Sequence, residues 1–484
     1  MTRITQIDIK NFRAFYSKHT INLKNDGKNL LIYGENGSGK SSLLLAIKLL
    51  INSYIQNLEF SPHRNIFTNQ DDDAFIKLTL SNNDGTGNSI HTWSETVTET
   101  GANVILSAAK TKGILDYKSL LEVYFLQREN TELNIFNLLI KNLLANYLDL
   151  RISPQSIAEE WQDIEISIPK SRGYKKQARN LQTKLDGFNN RFRELLSRLQ
   201  AQATILLEYF GYSIELKLEL PGMVYNSDTK QIDGKEIILT VDFLGQPIYS
   251  PHQFLNEAKL SAIALSLYLA SLLIIPTSEL NILVLDDVLI GLDMSNRLPI
   301  INILHDHFSH YQVFFMTYDR EWYAIMKQRI EASDTQNNWL YVELFNSKIE
   351  DDLEVPVFTQ DKDYLIKAEE YLENNALNAS ALYLRMAFEV LMKRFCEKKS
   401  LGVRYRDKPK DLTTKDFWNP ILAHKRRDNH GTEVSYLDQQ LVDEVELYLS
   451  LVMNPLSHSR MTTVYRQEIE NAIATIKKLK QALK

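Results

Sequence analysis

Gly34-Glu35-Asn36-Gly37-Ser38-Gly39-Lys40-Ser41 fits the phosphate-cradling pattern G-x-x-x-x-G-K-S/T without a mismatch. The chemistry of such a run is anion binding. Glycines let backbone N–H groups turn inward onto a β-phosphate, at the positive end of the helix that follows, with Asn36, Ser38 and Ser42 alongside. Lys40 places a point charge on the β- and γ-phosphates, and the Ser41 hydroxyl completes a Mg²⁺ shell. The expected ligands are therefore ATP and Mg²⁺. A second constellation lies far downstream, where four apolar residues, Ile282-Leu283-Val284-Leu285, run into Asp286-Asp287. A strand tip there aims the Asp286 carboxylate at the Mg²⁺ on Ser41, and Asp287 is placed as the base that orients an attacking water.

A third group stands near the C-terminus. Arg385 and Glu389 are one helical turn apart, and His458 follows a helix-breaking proline in Asn454-Pro455-Leu456-Ser457-His458-Ser459-Arg460. An Arg, a Glu and a His can cleave RNA without metal. The His moves a proton to or from the ribose 2′-hydroxyl or the leaving oxygen, and the Arg stabilises a charged phosphorane. The same residues also read as a surface ion pair and a loop histidine, and both readings stay open. Lys393, Arg394, Lys398, Lys399, Arg404, Arg406, Lys408, Lys410 and the run Lys425-Arg426-Arg427 lie between the two halves and suit an RNA backbone. His305, His307 and His310 lack a fourth ligand at credible spacing and read as surface residues.

The elements that must position these groups follow from the apolar pattern. Residues 29–33 read as a short buried strand before the phosphate loop, and 42–50 as an apolar helix behind it. Helical patterns run over 117–126 and 133–148, and strands over 74–80, 91–97, 213–220, 237–243, 312–316 and 340–344. From Arg179 to Leu206 the apolar positions Leu181, Leu185, Phe188, Phe192, Leu195 and Leu199 step by four and three, a heptad seam. Its surrounding charges read as a solvated coil surface rather than a nucleic-acid track. The uncharged run from Leu260 to Ser278 carries serines and Pro276 and reads as a core helix, not a membrane span.

The bulk properties set the frame. A length of 484 residues predicts two to four domains. A net charge of −6 argues against a chain that coats nucleic acid over its whole surface. The single cysteine, Cys396, excludes an internal disulfide and a paired Cys-x-x-Cys zinc site, and fits a reducing cytosol. The first residues run straight into a strand pattern, so no signal peptide, a cytoplasmic location and no membrane partner are expected.

These motifs, in this order, resemble the head domain of the SMC, RecF and RecN group of ABC-type ATPases. Asn11-Phe12-Arg13-Ala14-Phe15 is similar to that family's early arginine turn, and Leu255 to Ser261, with Asn256 and Ala258, sits where its signature motif falls. Ile290-Gly291-Leu292-Asp293 looks like its D-loop, and Phe315 to Asp319, with Tyr318, like its switch segment. Gln127 is a candidate for its Mg²⁺-contacting glutamine, or an ordinary helix-end glutamine. The resemblance implies an α/β ABC-type (SMC/RecF-like) P-loop ATPase head with a short helical coil insertion, followed by an all-α C-terminal domain. It further implies a head N-lobe at 1–150, the insertion at 151–210, a C-lobe at 211–345, a linker at 346–360 and the helical domain at 361–484. In the family two heads close on two nucleotides, which implies a homodimer. Asn256 stands in place of Ser, Ala258 of Gly, Asp287 of Glu and Tyr318 of His, so ATP-driven closure is expected with slow hydrolysis. The Arg385-x-x-x-Glu389 pair with His458 resembles HEPN ribonucleases, in particular anticodon nucleases fused to an ABC-type ATPase. Together these features are similar to the ATPases of the Septu, PARIS and retron anti-phage systems, which control a nuclease in the same or a separate chain, acting on RNA (tRNA) or DNA. A RecF/RecN-like repair ATPase with a dimerisation or DNA-binding module is the alternative.

Overall fold

A computed structural model describes residues 2–69, 71–81, 87–97, 103–116, 134–148, 154–169, 175–333, 337–348, 354–360, 364–404, 413–427, 433–453 and 465–483. The chain divides into two compact units, residues 1–360 and 361–484.

The first unit is built on a six-stranded sheet. Its order is Glu354–Gln360, Trp339–Lys348, Asn29–Gly34, Gln312–Thr317, Ile282–Asp286, Gly113–Asp116. All neighbours are parallel except the first pair, which is antiparallel. The central strands are near-continuous apolar runs because both faces are covered. Successive side chains point to opposite faces: Leu31, Leu283, Leu285 and Phe315 enter one core, and Leu30, Ile32, Val284 and Phe314 the other. The second core also takes the phosphate-loop helix Lys40–Ser53 and an antiparallel sheet of Phe15–Asn22, Arg3–Phe12, Phe75–Ser81 and Asn88–Ser94.

The heptad seam is real, but its partner is the unit's own core rather than a second coil. Lys175–Tyr209 is a single helix that buries Leu181, Leu185, Phe188, Phe192, Leu195, Leu199 and Leu206. It packs on a small antiparallel sheet, Gln246–Ile248, Ile238–Phe243 and Ile214–Glu219, and on the apolar helix Glu257–Ile274. Side chains lock that contact. Buried Asn189 donates to the Met223 carbonyl and accepts from its N–H, both at 3.0 Å, and Gln200 accepts from the Leu218 N–H at 3.0 Å. The basic residues around the seam are used locally as well: Lys184 pairs with Asp163 at 2.9 Å, Arg191 with Glu160, and Arg198 donates to the Tyr147 hydroxyl at 2.8 Å.

Two further expectations for the first unit change, and the core-helix expectation holds. The segment expected as a linker at 346–360 carries the strand Glu354–Gln360, which pairs along Trp339–Lys348. Its proline stands on an edge strand, where no ladder hydrogen bond is needed from it. The helix expected over 133–148 is short: Phe136–Leu138 runs into a π turn at Leu139–Leu143. That expected over 117–126 lies outside the described residues. Glu257–Ile274 is long and apolar enough to cross a membrane, yet most of it is buried inside the unit, so here it is a core helix.

Among its described residues the second unit is helical with one exception. Tyr364–Glu373, Leu377–Lys398, Thr414–Ala423, Gln439–Tyr448 and Arg466–Ala482 enclose a core around Leu384, Phe388, Phe395, Val445, Ile469 and Ile476. The exception corrects the all-α expectation: exposed Lys425–Arg427 forms a two-stranded hairpin with Glu433–Ser435.

Candidate functional site

The phosphate loop leaves the end of the buried strand Asn29–Gly34. At Gly34 a Cβ would stand 2.5 Å from the Ser38 Oγ and 3.1 Å from the Leu344 carbonyl, so only glycine admits this return of the chain. Gly37 and Gly39 have φ of 88° and 100°, the left-handed region that turns the intervening N–H groups inward. Asn36, Gly37 and Ser41 are exposed, and Ser42 is half-buried behind them. The Ser38 Oγ is buried with no hydrogen-bond partner. Lys40 is only 5% exposed, and its ammonium donates to the Gly34 carbonyl at 2.7 Å.

Asp286 and Asp287 meet this loop from the end of the strand Ile282–Asp286, one strand removed from Asn29–Gly34 in the sheet. The Ser41 hydroxyl donates to Asp286 Oδ2 at 3.0 Å, joining the two Mg²⁺-ligand candidates directly. The other Asp286 oxygen, Oδ1, is buried and unpartnered. Burial, then the charge of Asp287, pushes the Asp286 carboxyl up to about 6. A buried carboxylate with a free lone pair beside a serine hydroxyl is the donor set a hard divalent cation takes, so these residues fit Mg²⁺. Asp287 lies 3.8 Å from the Lys40 ammonium. Its φ of 53° is unusual for a non-glycine residue, and two hydrogen bonds hold the residue, one through its backbone and one through its side chain: its N–H to the Met316 carbonyl at 3.1 Å, and the Tyr318 N–H to its Oδ1 at 2.9 Å. Burial raises the Asp287 carboxyl, while the Lys40 charge opposes that rise.

The remaining candidates flank this centre. Arg13 is an exposed turn residue with φ of 47°; its N–H donates to the His63 carbonyl at 2.8 Å, and its neighbour Ala14 borders Gly39. Asn256 caps the helix Glu257–Ile274, its side chain accepting from the Lys259 N–H at 3.0 Å, as its type predicts. Ala258, the second residue of that helix, is half-buried. Asp293 caps Met294–Arg297, and Tyr318 is 39% exposed. Gln127 lies outside the described residues.

In the second unit, Arg385 Nε donates to Glu389 Oε1 at 3.1 Å. Glu389 also accepts from the Thr414 hydroxyl at 3.2 Å, and an Arg385 amino group faces the Met453 carbonyl at 3.5 Å. His458, Arg406, Lys408 and Lys410 lie outside the described residues. His305 pairs with Asp306, and His307 with the Tyr209 hydroxyl. Among the described residues no group of three or more His, Cys, Asp or Glu could hold a metal.

Two features escape a reading of the sequence. One is the strand Gly113–Asp116, which puts Asp116 in register with Asp286 and whose four residues are too few to show a period. The other is an ion pair of Arg297 with Asp319 at 2.6 Å, between two segments whose only signal is a charge next to each motif.

A strand–loop–helix phosphate cradle facing a strand-end carboxylate defines a P-loop nucleotide-binding head. The model of the RecF/RecN/SMC N terminal domain matches residues 3–340, and this chain belongs to that family, an SMC-type family of ATPases. None of the curated proteins matches it in sequence. Among solved structures it is similar to the Smc head domain with an extended coiled coil bound to the C-terminal domain of ScpA, from Pyrococcus furiosus. That match has 13% identity and a TM-score of 0.45, covering 78% of this chain and 100% of that one. It is also similar to the SMC head domain from Thermotoga maritima, at 13% identity and a TM-score of 0.34, over 74% of this chain and 99% of that one.

Proposed function

We propose that this chain is an ATP-gated switch of anti-phage defence, whose paired heads restrain a nuclease that is either its own C-terminal unit, acting as a ribonuclease, or a separate chain. The carrying observation is the union, in one polypeptide, of a Mg²⁺-nucleotide cradle and a separate helical unit with a half-buried Arg385–Glu389 pair. On this reading the loop N–H groups, Asn36, Ser42, Lys40 and Arg13 bind the triphosphate, and Ser41 and Asp286 hold Mg²⁺. Bound Mg²⁺ neutralises phosphate charge. Asp287 orients the attacking water and receives its proton. From a second copy of the head, the N–H groups of the helix capped by Asn256 approach the γ-phosphate, with Ala258, Asp293 and Tyr318 lining the cleft.

In the helical unit, Arg385 carries the positive charge that a phosphorane needs, Glu389 and Thr414 hold it in place, and His458 transfers the proton. Arg385 reaches the carbonyl of Met453, which lies five residues before His458 in the chain. The exposed Lys425, Arg426 and Arg427 supply phosphate contacts for an RNA strand.

The test is tRNA integrity and growth in bacteria expressing wild type, Lys40→Ala, Arg385→Ala or His458→Ala, with and without phage. Cut RNA that disappears with Arg385→Ala and His458→Ala supports the C-terminal unit as effector. Intact RNA throughout, with protection from phage retained, moves the nuclease to a partner chain. No protection in any strain overturns the defence reading and leaves a repair ATPase.

A further inference from the structure

We propose that Arg297 and Asp319 are a positioning pair that holds Asp287 in place and ties its setting to the D-loop. The inference rests on the reading of Asp287 as the water-orienting base. Arg297 ends the four-residue helix Met294–Arg297, directly after the D-loop. Its Nε donates to the Leu292 carbonyl at 2.7 Å, folding the guanidinium back onto the D-loop, and its other arm donates to Asp319 Oδ2 at 2.6 Å. Asp319 Oδ1 accepts from the Trp322 N–H at 3.1 Å, which fixes the start of the helix Arg320–Ser333. The adjoining Tyr318 N–H then donates to Asp287 at 2.9 Å. Every link from Leu292 to Asp287 is thus a hydrogen bond or one step along the backbone.

The arrangement has a reason. Asp287 is a non-glycine residue in the left-handed region, a conformation that persists only where its surroundings over-determine it. Two of those restraints come from residues 316 and 318, so the segment that carries them must itself be held. The Arg297–Asp319 bond holds it with a charge-assisted contact whose arginine side chain is only 14% exposed. The contact from the switch segment is a backbone N–H, so it does not depend on the side chain at position 318.

The same short helix reaches the other way. Asn296 donates to Asp293 Oδ2 and accepts from the Tyr212 hydroxyl, both at 2.9 Å. Lys259, in the first turn behind Asn256, lies 5.9 Å from the Tyr212 ring. A displacement of the D-loop or of the signature helix is therefore delivered through Asn296 and Arg297 to Asp287.

The experiment is single-turnover ATP hydrolysis beside equilibrium binding of a fluorescent ATP analogue, for Arg297→Ala, Arg297→Lys, Asp319→Asn and the exchanged pair R297D/D319R. The expected result is a fall of about tenfold or more in the hydrolysis rate for Arg297→Ala and Asp319→Asn, with affinity within about twofold of wild type. Arg297→Lys keeps part of the rate, and the exchanged pair recovers more than either reversal alone. An unchanged rate in Arg297→Ala overturns the proposal, and so does a rate lost only in step with affinity and thermal midpoint. Wild-type hydrolysis by Asp287→Asn would instead sink the reading of Asp287, whatever Arg297 does.

Discussion

The two candidate centres are held in different ways. In the first unit the reacting groups gather where buried strands end, Asp286 on the last residue of its strand and Lys40 on the helix that the phosphate loop leads into, and each is only 5% exposed. In the second unit Arg385 and Glu389 stand on one helix with side chains 26% and 32% exposed, tied mainly to each other. Buried parallel strands give every backbone group a partner and leave the loops at their ends as the one place where polar chemistry can gather. A helix surface offers no such constraint, because an i, i+4 Arg–Glu pair forms there for solvation alone.

The largest effect that would sharpen this contrast is Lys40→Ala. It removes the cation at the centre of the cradle, and ATP affinity should fall by about a hundredfold or more, read by isothermal titration, while the second unit's fold is unchanged. Next is Asp287→Ala, which should slow hydrolysis by about 10²–10⁴-fold with ATP still bound, so that paired heads accumulate in light scattering. Hydrolysis at the wild-type rate would remove Asp287 from the mechanism.

A third variant tests the independence of the two units. Phe388 is fully buried in the helical core, so Phe388→Ala should destabilise the second unit by about 3–5 kcal/mol in chemical unfolding. ATP affinity should stay within about twofold of wild type. A parallel loss of ATP binding would break the contrast.

The smallest effect concerns a half-buried lysine of the same unit. Burial, then the neighbouring charge of Lys48, depresses Lys112 to about 8. The unfolded chain keeps the Lys112 proton up to its ordinary value near 10.5, so the folded state loses stability to this charge below about pH 8 and recovers it as pH rises towards 10.5. Lys112→Met should therefore stabilise the first unit by up to about 3 kcal/mol at pH 7, less what solvent screening of this half-buried group removes, and by little above pH 10.5. A gain that is constant over that range would contradict the assignment.

The same contrast explains what could be read from residues alone. The phosphate loop, Asp286-Asp287 and the Asn256 cap are local signals, each carried by a few consecutive residues in the right order, and an apolar strand or helix beside them fixes their setting. The fate of the heptad seam is not local. Leu181 to Leu206 declares a continuous apolar face but not what covers it, and here Gln200 binds it to a sheet that follows in the chain and Asn189 to the segment just after that sheet's strand Ile214–Glu219. Glu354–Gln360 escaped because Pro356 and few apolar residues resemble a linker, and its pairing with Trp339–Lys348 supplies what its own composition lacks. Arg297 and Asp319 are 22 residues apart and belong to different motifs, so only the folded chain brings them together.

The account turns on Asp286 as the carboxylate that completes the Mg²⁺ site with Ser41. Its most direct test is ATP binding by wild type and Asp286→Asn, each titrated with and without Mg²⁺. Mg²⁺ should tighten binding to wild type by about tenfold or more and leave the variant almost unchanged, with the metal-free affinities of the two alike. The same tightening in the variant would contradict the assignment of Asp286 and, with it, the Mg²⁺-nucleotide centre described for this head.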